Sequence, residues 1–169
     1  MDQPIKKLSN TSGVELNPLF IGGCARSGTT ILAKIISENF KFVVTPESQF
    51  KSEPKYFKKS GFSFDSKDHR ELIMSRRLQA WDVEIESITY GKHESFDLYL
   101  NSLVSVFSKK HGLGDNPWLD HTPNNIKHFQ FLKEVFPRAK LIHIIRDGRA
   151  VYNSVKSLPW GPCDVYTSV

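Results

Sequence analysis

The residues between Pro18 and Thr30 have the types and spacing of a loop that binds phosphate or a similar oxyanion. An apolar stretch, Leu19–Gly23, runs into a glycine-containing loop, and residues 28 to 39 then have the pattern of a helix. The first N–H groups of a helix lack partners within it, and the helix dipole adds positive charge there. An anion can therefore bind with little help from side chains, and chemistry on a phosphate-like group is the first expectation.

This loop differs from a Walker A phosphate-binding loop at one position. Gly23 and Gly28 are separated by four residues as in that motif, but Thr29 stands where a lysine would reach the β- and γ-phosphates. Arg26 supplies a cation within the loop, and Thr30 keeps the hydroxyl that would meet magnesium. The missing lysine argues against an ordinary ATP- or GTP-hydrolysing enzyme. For this loop alone, a plain helix start with glycine in a tight turn stays open.

A second candidate anion site follows the apolar run Leu141–Ile145, which is typical of a buried strand. The segment Arg146–Arg149 then turns the chain into a predicted helix. Arg146 would lie at the carboxyl end of the strand, where ligands of open α/β sheets bind. Ser154 lies eight residues later, about two helical turns, so its hydroxyl can point back towards that end. Two anion sites on one sheet suggest a ligand with two separated phosphate-like groups.

Three motifs, in this order, resemble those of sulfotransferases that use 3′-phosphoadenosine 5′-phosphosulfate (PAPS). They are Phe20-Ile-Gly-Gly23 with Arg26-Ser-Gly-Thr-Thr30, then Thr45-Pro-Glu-Ser48, then the run from Phe136 to Ala150. The sequence is most similar to the branch that contains the tyrosylprotein sulfotransferases and many bacterial sulfotransferases. The resemblance covers roughly residues 18 to 162.

The resemblance implies where PAPS would bind. The family's 5′-phosphosulfate loop is matched by Arg26, Ser27, Gly28, Thr29 and Thr30. The pair that holds the 3′-phosphate in the family is matched by Arg146 and Ser154. No metal is expected, since a sulfuryl group carries less charge than a terminal phosphate.

The resemblance also implies catalytic roles for Glu47, His121 and Arg26. Glu47 matches the base that takes the proton of the acceptor hydroxyl in the tyrosylprotein branch, and it lies 47 − 26 = 21 residues after Arg26. His121 stands where relatives commonly place a lysine that neutralises charge on the bridging oxygen. A protonated histidine would serve there, whereas a neutral imidazole donates more weakly. A surface glutamate at a helix start and a loop histidine after a strand are the alternatives.

Strands that alternate with helices predict an α/β domain, a P-loop-type three-layer fold with a central parallel sheet flanked by helices. The predicted strands are Leu19–Gly23, Lys41–Thr45, Trp118–Asp120 and Lys140–Ile145. The predicted helices are Gly28–Glu38, Phe96–Lys109, Asn124–Phe136 and Asp147–Ser157. Residues 1–17 are expected to form a flexible tail and residues 18–169 the sulfotransferase domain. The irregular segment between Glu53 and Glu94 corresponds to the insert that shapes the acceptor site in relatives.

Composition limits the possible partners. The chain of 169 residues has a formal net charge of +5, which suits an anionic donor, but its lysines and arginines are dispersed and predict no nucleic-acid surface. Cys24 and Cys163 form no disulfide framework, and His111, His128 and His143 lack metal-ligand spacing. No apolar segment approaches the ~20 residues of a membrane span, and the N-terminus lacks a signal-peptide pattern. A cytoplasmic location is expected.

The sequence predicts a PAPS-dependent sulfotransferase that acts on a hydroxyl-bearing acceptor: a tyrosyl group of a protein, a carbohydrate or a small alcohol. Two other classes stay open. One is a P-loop kinase or NTPase with Asp120 and Asp147 as candidate magnesium ligands, and the other is a non-catalytic nucleotide-binding remnant. Relatives continue past the position of Val169, so the C-terminal part of the domain is expected to be missing and activity of this chain alone stays open. The oligomeric state is not predicted.

Overall fold

A four-stranded parallel sheet lies at the centre of the computed structural model, which describes residues 17–48, 79–83, 96–159 and 161. The strands are β1 (Leu19–Gly23), β2 (Val43–Thr45), β3 (Trp118–Asp120) and β4 (Lys140–Ile144), in the order β2-β3-β1-β4. The described helices are α1 (Thr29–Asn39), α2 (Phe96–Lys110), α3 (Asn125–Val135) and α4 (Gly148–Val155). The predicted α/β class with a parallel sheet flanked by helices is confirmed.

Side-chain alternation along the strands builds two apolar clusters. Phe20 and Trp118 are fully buried in one cluster with residues of α2 and α3, and their rings meet edge to face at 5.5 Å. The next residues along each strand, Ile21 and Leu119, belong to the other cluster with Ala33 of α1. Successive strand residues point to opposite faces of a sheet, so each short strand contributes to both clusters.

The strand and helix ends agree with the sequence to within a few residues. Strands β1 and β3 have the predicted bounds, while β2 begins two residues later than predicted. The Phe42 N–H donates to Phe40 O at 2.8 Å in a turn, and pairing with β3 begins only at Val43. Helix α4 begins after Asp147, whose side chain caps it by accepting from Arg149 N–H at 2.8 Å.

The prediction that the apolar run Leu141–Ile145 forms a buried strand is wrong. Strand β4 ends at Ile144, its residues are exposed or half-buried, and Ile145 is 85% exposed. Within the described residues β4 pairs only with β1, so it lies at an edge of the sheet. An apolar run indicates that a strand forms, but it does not indicate how many neighbouring strands will pair with it.

Several sequence expectations lie outside the described residues. These are residues 1–16 of the tail, most of the segment between Glu53 and Glu94, and Cys163. None of the helices in the described ranges is long and apolar enough to cross a membrane.

A buried amide holds β1, β3 and α3 together below the loops. Asn125 is 0% exposed, and its Nδ2 donates to Ile21 O at 3.1 Å and to Asp120 Oδ1 at 2.7 Å. The same carboxylate oxygen accepts from Thr122 N–H at 2.8 Å. Hydrogen bonds to a carboxylate are worth about 1.5–3 kcal/mol each, so this network ties the end of β3 to α3, and through Ile21 to the middle of β1.

Close packing of α3 on β1 requires glycine at position 22. A Cβ added to Gly22 would lie 2.6 Å from Ile126 N and 3.1 Å from Ile126 Cβ. The backbone nitrogen belongs to the first turn of α3 and can move only if the helix moves. Strand and helix therefore meet at a distance that an alanine side chain does not allow.

We expect Gly22→Ala to lower the free energy of unfolding by about 1–3 kcal/mol, because overpacking forces α3 away from β1. Gly148→Ala is the matched control, since a Cβ at Gly148 meets nothing within 4 Å. Urea unfolding of both variants measures the difference. Equal stability of Gly22→Ala and the unsubstituted chain would contradict the close contact.

Candidate functional site

The loop between β1 and α1 presents the start of α1 to a cavity. Gly28 is the N-cap of α1 with a φ of 102°, and no side chain caps the helix there. The first backbone N–H groups of α1 are therefore left for an incoming anion. Thr29 is buried and Thr30 is exposed, and both line the cavity beside the loop.

Arg26 has an unusual backbone conformation within this loop. Its φ is 67°, in the left-handed region that residues other than glycine rarely adopt. Such a conformation costs of order 1–3 kcal/mol and is found mainly where a loop serves a ligand. The loop carries the Arg26 side chain across to α4, where Nε donates to Ser154 Oγ at 3.1 Å.

The two predicted anion sites meet at this point. Strands β1 and β4 are neighbours, with Gly23 paired to Ile144, so the loops that follow them lie side by side. Arg146 Nη1 donates to Arg26 O at 2.8 Å, and Ser154 reaches the same place from α4. The structure thus brings Arg26, Arg146 and Ser154 together.

Within the described residues, the guanidinium groups of Arg26 and Arg146 have no carboxylate partner, unlike that of nearby Arg149. Neither Arg26 nor Arg146 makes an ion pair with a carboxylate of the described residues. By contrast, Arg149 Nη2 lies 2.6 Å from Asp147 Oδ2. Hydrogen bonds from Arg149 hold the pKa of Asp147 below its usual value, and the same contact raises the pKa of Arg149. Positive charge is therefore left at the cavity, as an anion site needs.

A second group of side chains, Glu47 and His121, meets where β2 and β3 end; Glu47 lines the cavity, whereas His121 does not. Glu47 follows β2, and its Oε1 lies 3.4 Å from Thr30 Oγ1 and 3.2 Å from His121 Nδ1. His121 follows β3 and is buried, whereas the Glu47 side chain is about half exposed. The contact with Nδ1 is short but not aligned as a hydrogen bond. The structure brings together the residues predicted to act as base and cation.

The loops that carry this pair are fixed by backbone contacts. Ser48 N–H donates to Thr122 Oγ1 at 3.1 Å and joins the loop after β2 to the loop after β3. Gly23 N–H donates to Pro123 O at 3.0 Å and joins that loop to the end of β1. Strand β2 pairs with β3 at Thr45 and Asp120, just before each loop begins.

All three sequence motifs contribute to one cavity of about 380 Å³. Its lining includes Arg26, Thr29, Thr30, Glu47, Arg146 and Ser154. This volume is at the lower end of the range for small-molecule sites. Ser27 does not line the cavity, because its N–H donates to Cys24 O at 3.1 Å and its hydroxyl is buried. The roles assigned to all these residues stay predictions.

Asp120 and Asp147, the two candidate magnesium ligands, make hydrogen bonds within the fold. Asp120 accepts from Thr122 N–H and Asn125 Nδ2, and Asp147 caps α4. In the described ranges no three histidine, cysteine, aspartate or glutamate side chains form a group that could hold a metal ion. Sequence reasoning missed the structural role of Asn125. The Asp120 carboxylate bonds the N–H two residues on, as Asp does in turns, but no signal in the sequence pointed to Asn125.

Comparisons with known proteins agree with this geometry. The chain matches the Sulfotransferase family over residues 18–167 and belongs to that family. It is 29% identical over 139 residues to Protein-tyrosine sulfotransferase A of Caenorhabditis elegans and 25% identical over 147 residues to Protein-tyrosine sulfotransferase of Drosophila melanogaster. These matches cover 82% and 85% of this chain, but only 33% and 26% of the two relatives. The family resemblance predicted from the motifs is confirmed.

We expect Arg146→Ala to weaken binding of 3′-phosphoadenosine 5′-phosphate by about 10- to 100-fold, since one charge-assisted contact is lost. Arg149→Ala is the control, because Arg149 lies three residues after Arg146 and its guanidinium is already paired with Asp147. Titration calorimetry measures both affinities. Equal losses in the two variants would show that Arg146 has no special place in the site.

Proposed function

We propose that this protein transfers a sulfuryl group from PAPS to a hydroxyl acceptor. One observation carries the proposal: Arg26 and Arg146 converge on one side of a cavity without an ion pair among the described residues, and the Glu47 carboxylate faces the same cavity. A cavity lined by two cations and a carboxylate suits an anionic donor and an acceptor that must lose a proton.

The residues present fit a donor with two anionic ends. The start of α1 offers backbone N–H groups and the Thr29 and Thr30 hydroxyls to the 5′-phosphosulfate. Arg146 and Ser154, at the end of β4 and on α4, are assigned to the 3′-phosphate. Arg26 belongs to the loop before α1 and joins the two sets, since its carbonyl accepts from Arg146 and its side chain donates to Ser154. A ligand with one phosphate group would use only part of this arrangement.

Transfer requires one proton acceptor from the chain. A bond forms between the acceptor oxygen and sulfur while the bond from sulfur to the 5′-phosphate oxygen breaks, and 3′-phosphoadenosine 5′-phosphate leaves with that electron pair. Glu47 takes the acceptor proton, while Arg26 and the N–H groups of α1 stabilise the charge on the transferred group. The predicted contact of His121 with the bridging oxygen is not part of this proposal, because His121 Nδ1 faces Glu47 and the ring does not line the cavity.

The relatives suggest which acceptor to test first. Both are named for transfer to protein tyrosine, so a tyrosyl phenol in a peptide is the leading acceptor for this chain. Sugar hydroxyls and small alcohols belong in the same panel, because a carboxylate base serves each of them. The chain spans about a third and about a quarter of the two relatives, so the acceptor is assayed with this chain and with any longer form that contains it.

Nucleotide preference separates this proposal from a kinase or NTPase. We expect 3′-phosphoadenosine 5′-phosphate to bind at least about 10-fold more tightly than Mg-ATP, because contacts to a 3′-phosphate are worth about 1.5–3 kcal/mol. Calorimetry with both ligands measures this, and adenosine 5′-monophosphate, which differs from 3′-phosphoadenosine 5′-phosphate only by lacking the 3′-phosphate, is the matched control. Tighter binding of Mg-ATP would favour the kinase or NTPase class.

Catalysis separates the proposal from a nucleotide-binding remnant. We expect Glu47→Gln to reduce transfer of labelled sulfate by about 10²–10⁴-fold, because the amide cannot accept the proton. Glu38→Gln is the control, since Glu38 is an exposed residue of α1 paired with Lys34 at 3.9 Å. Donor binding should be unchanged in both variants. Transfer that survives in Glu47→Gln would remove Glu47 from the proton step.

A further inference from the structure

The two oxygens of the Glu47 carboxylate have different surroundings. Oε1 lies within 3.4 Å of Thr30 Oγ1 and 3.2 Å of His121 Nδ1. Oε2 has no hydrogen-bond partner among the described residues. One oxygen is therefore held by two neighbours, and the other is left to meet a substrate.

The approach of His121 to Oε1 restricts where the imidazole carries its proton. A neutral ring has one nitrogen with a proton and one with a lone pair. An unprotonated Nδ1 at 3.2 Å would place its lone pair against the oxygen lone pairs of a carboxylate. Since Nδ1 is buried away from solvent, water cannot relieve that repulsion. The contact is favourable only if Nδ1 carries a proton.

We propose that His121 is a positioning residue for Glu47, which it holds through the Nδ1 proton so that Oε2 faces the acceptor. This inference rests on the proposed role of Glu47 as the base. The Glu47 side chain is about half exposed and accepts one long hydrogen bond, from Thr30 at 3.4 Å, whereas His121 is buried. The contact is not aligned as a hydrogen bond in the structure, so the inference requires the carboxylate to turn until Oε1 meets the Nδ1–H bond. The buried ring thus orients a base that is about half exposed.

Hydrogen bonds on both sides of His121 in the sequence hold its backbone in place. Strand β3 ends at Asp120, the residue before His121. The Asp120 carboxylate accepts from the N–H of Thr122, the residue after His121, and from Asn125 Nδ2. The backbone on both sides of His121 is therefore held, and the ring has little freedom. A charge-assisted hydrogen bond from such a ring orients a carboxylate better than a contact with a flexible side chain.

Two substitutions separate positioning from a role at the bridging oxygen. In His121→Asn the amide nitrogen takes the place of Nδ1, whereas in His121→Gln it takes the place of Nε2. We expect His121→Asn to keep turnover within about 10-fold of the unsubstituted chain, and His121→Gln and His121→Ala to lose about 10- to 100-fold in kcat. KM for the donor should stay unchanged in all three. Loss in His121→Asn equal to that in His121→Ala overturns the inference.

The proton position can also be measured without turnover. Long-range ¹H–¹⁵N correlation spectra report which ring nitrogen carries a proton, and the signals of His121 are identified by their loss in His121→Asn. We expect Nδ1 to be protonated in the unsubstituted chain and in Glu38→Ala, and this preference to disappear in Glu47→Ala. A neutral His121 ring with its proton on Nε2 in the unsubstituted chain overturns the inference.

The two measurements distinguish this inference from the proposed function. A protonated Nδ1 in a chain that transfers no sulfate counts against the proposed function and supports the pairing of His121 with Glu47. Sulfate transfer by a chain whose His121 carries its proton on Nε2 alone counts against the pairing and supports the proposed function.

Discussion

The parallel pairing of β1 with β3 on one side and β4 on the other is the constraint on which the site depends. Parallel strands bring their carboxyl ends to one edge of a sheet, so the loops after all four strands meet there. The register of β1 and β4, with Gly23 beside Ile144, places Arg146 against the backbone of Arg26. The register of β2 and β3, with Thr45 beside Asp120, places Glu47 beside His121. No residue of the site comes from the opposite end of the described strands.

The charges at this edge are arranged at a cost to the unliganded chain. Arg26 and Arg146 lie at one place, and within the described ranges their guanidinium groups donate to a carbonyl and a hydroxyl but to no carboxylate. Arg26 also adopts a left-handed backbone conformation. A ligand that binds only the folded state adds stability that grows with the logarithm of its concentration relative to Kd. The site and the stability of the fold are therefore linked through whatever anion occupies the cavity.

Much of the fold could be predicted from local sequence, because glycines and prolines mark the ends of short apolar runs. Leu19–Gly23 and Trp118–Asp120 were predicted with their observed bounds. The edge position of β4 could not be predicted, since the number of neighbours of a strand depends on the whole sheet. The site residues could be named from motif spacing. The contacts of these residues could not be predicted. Arg26, which donates to Ser154, has a positive φ, and an arginine in the sequence does not indicate that conformation.

The buried amide of Asn125 has a consequence for how such a protein can vary. Its Nδ2 group joins a carbonyl of β1, the strand that leads to the donor loop, to the carboxylate of Asp120, next to His121. Substitutions of residues in one hydrogen-bond network have coupled effects on stability. A substitution of Asn125 would therefore disturb the loop after β1 and the loop after β3 together. Diversity among proteins built in this way should accumulate first in segments that this amide does not touch.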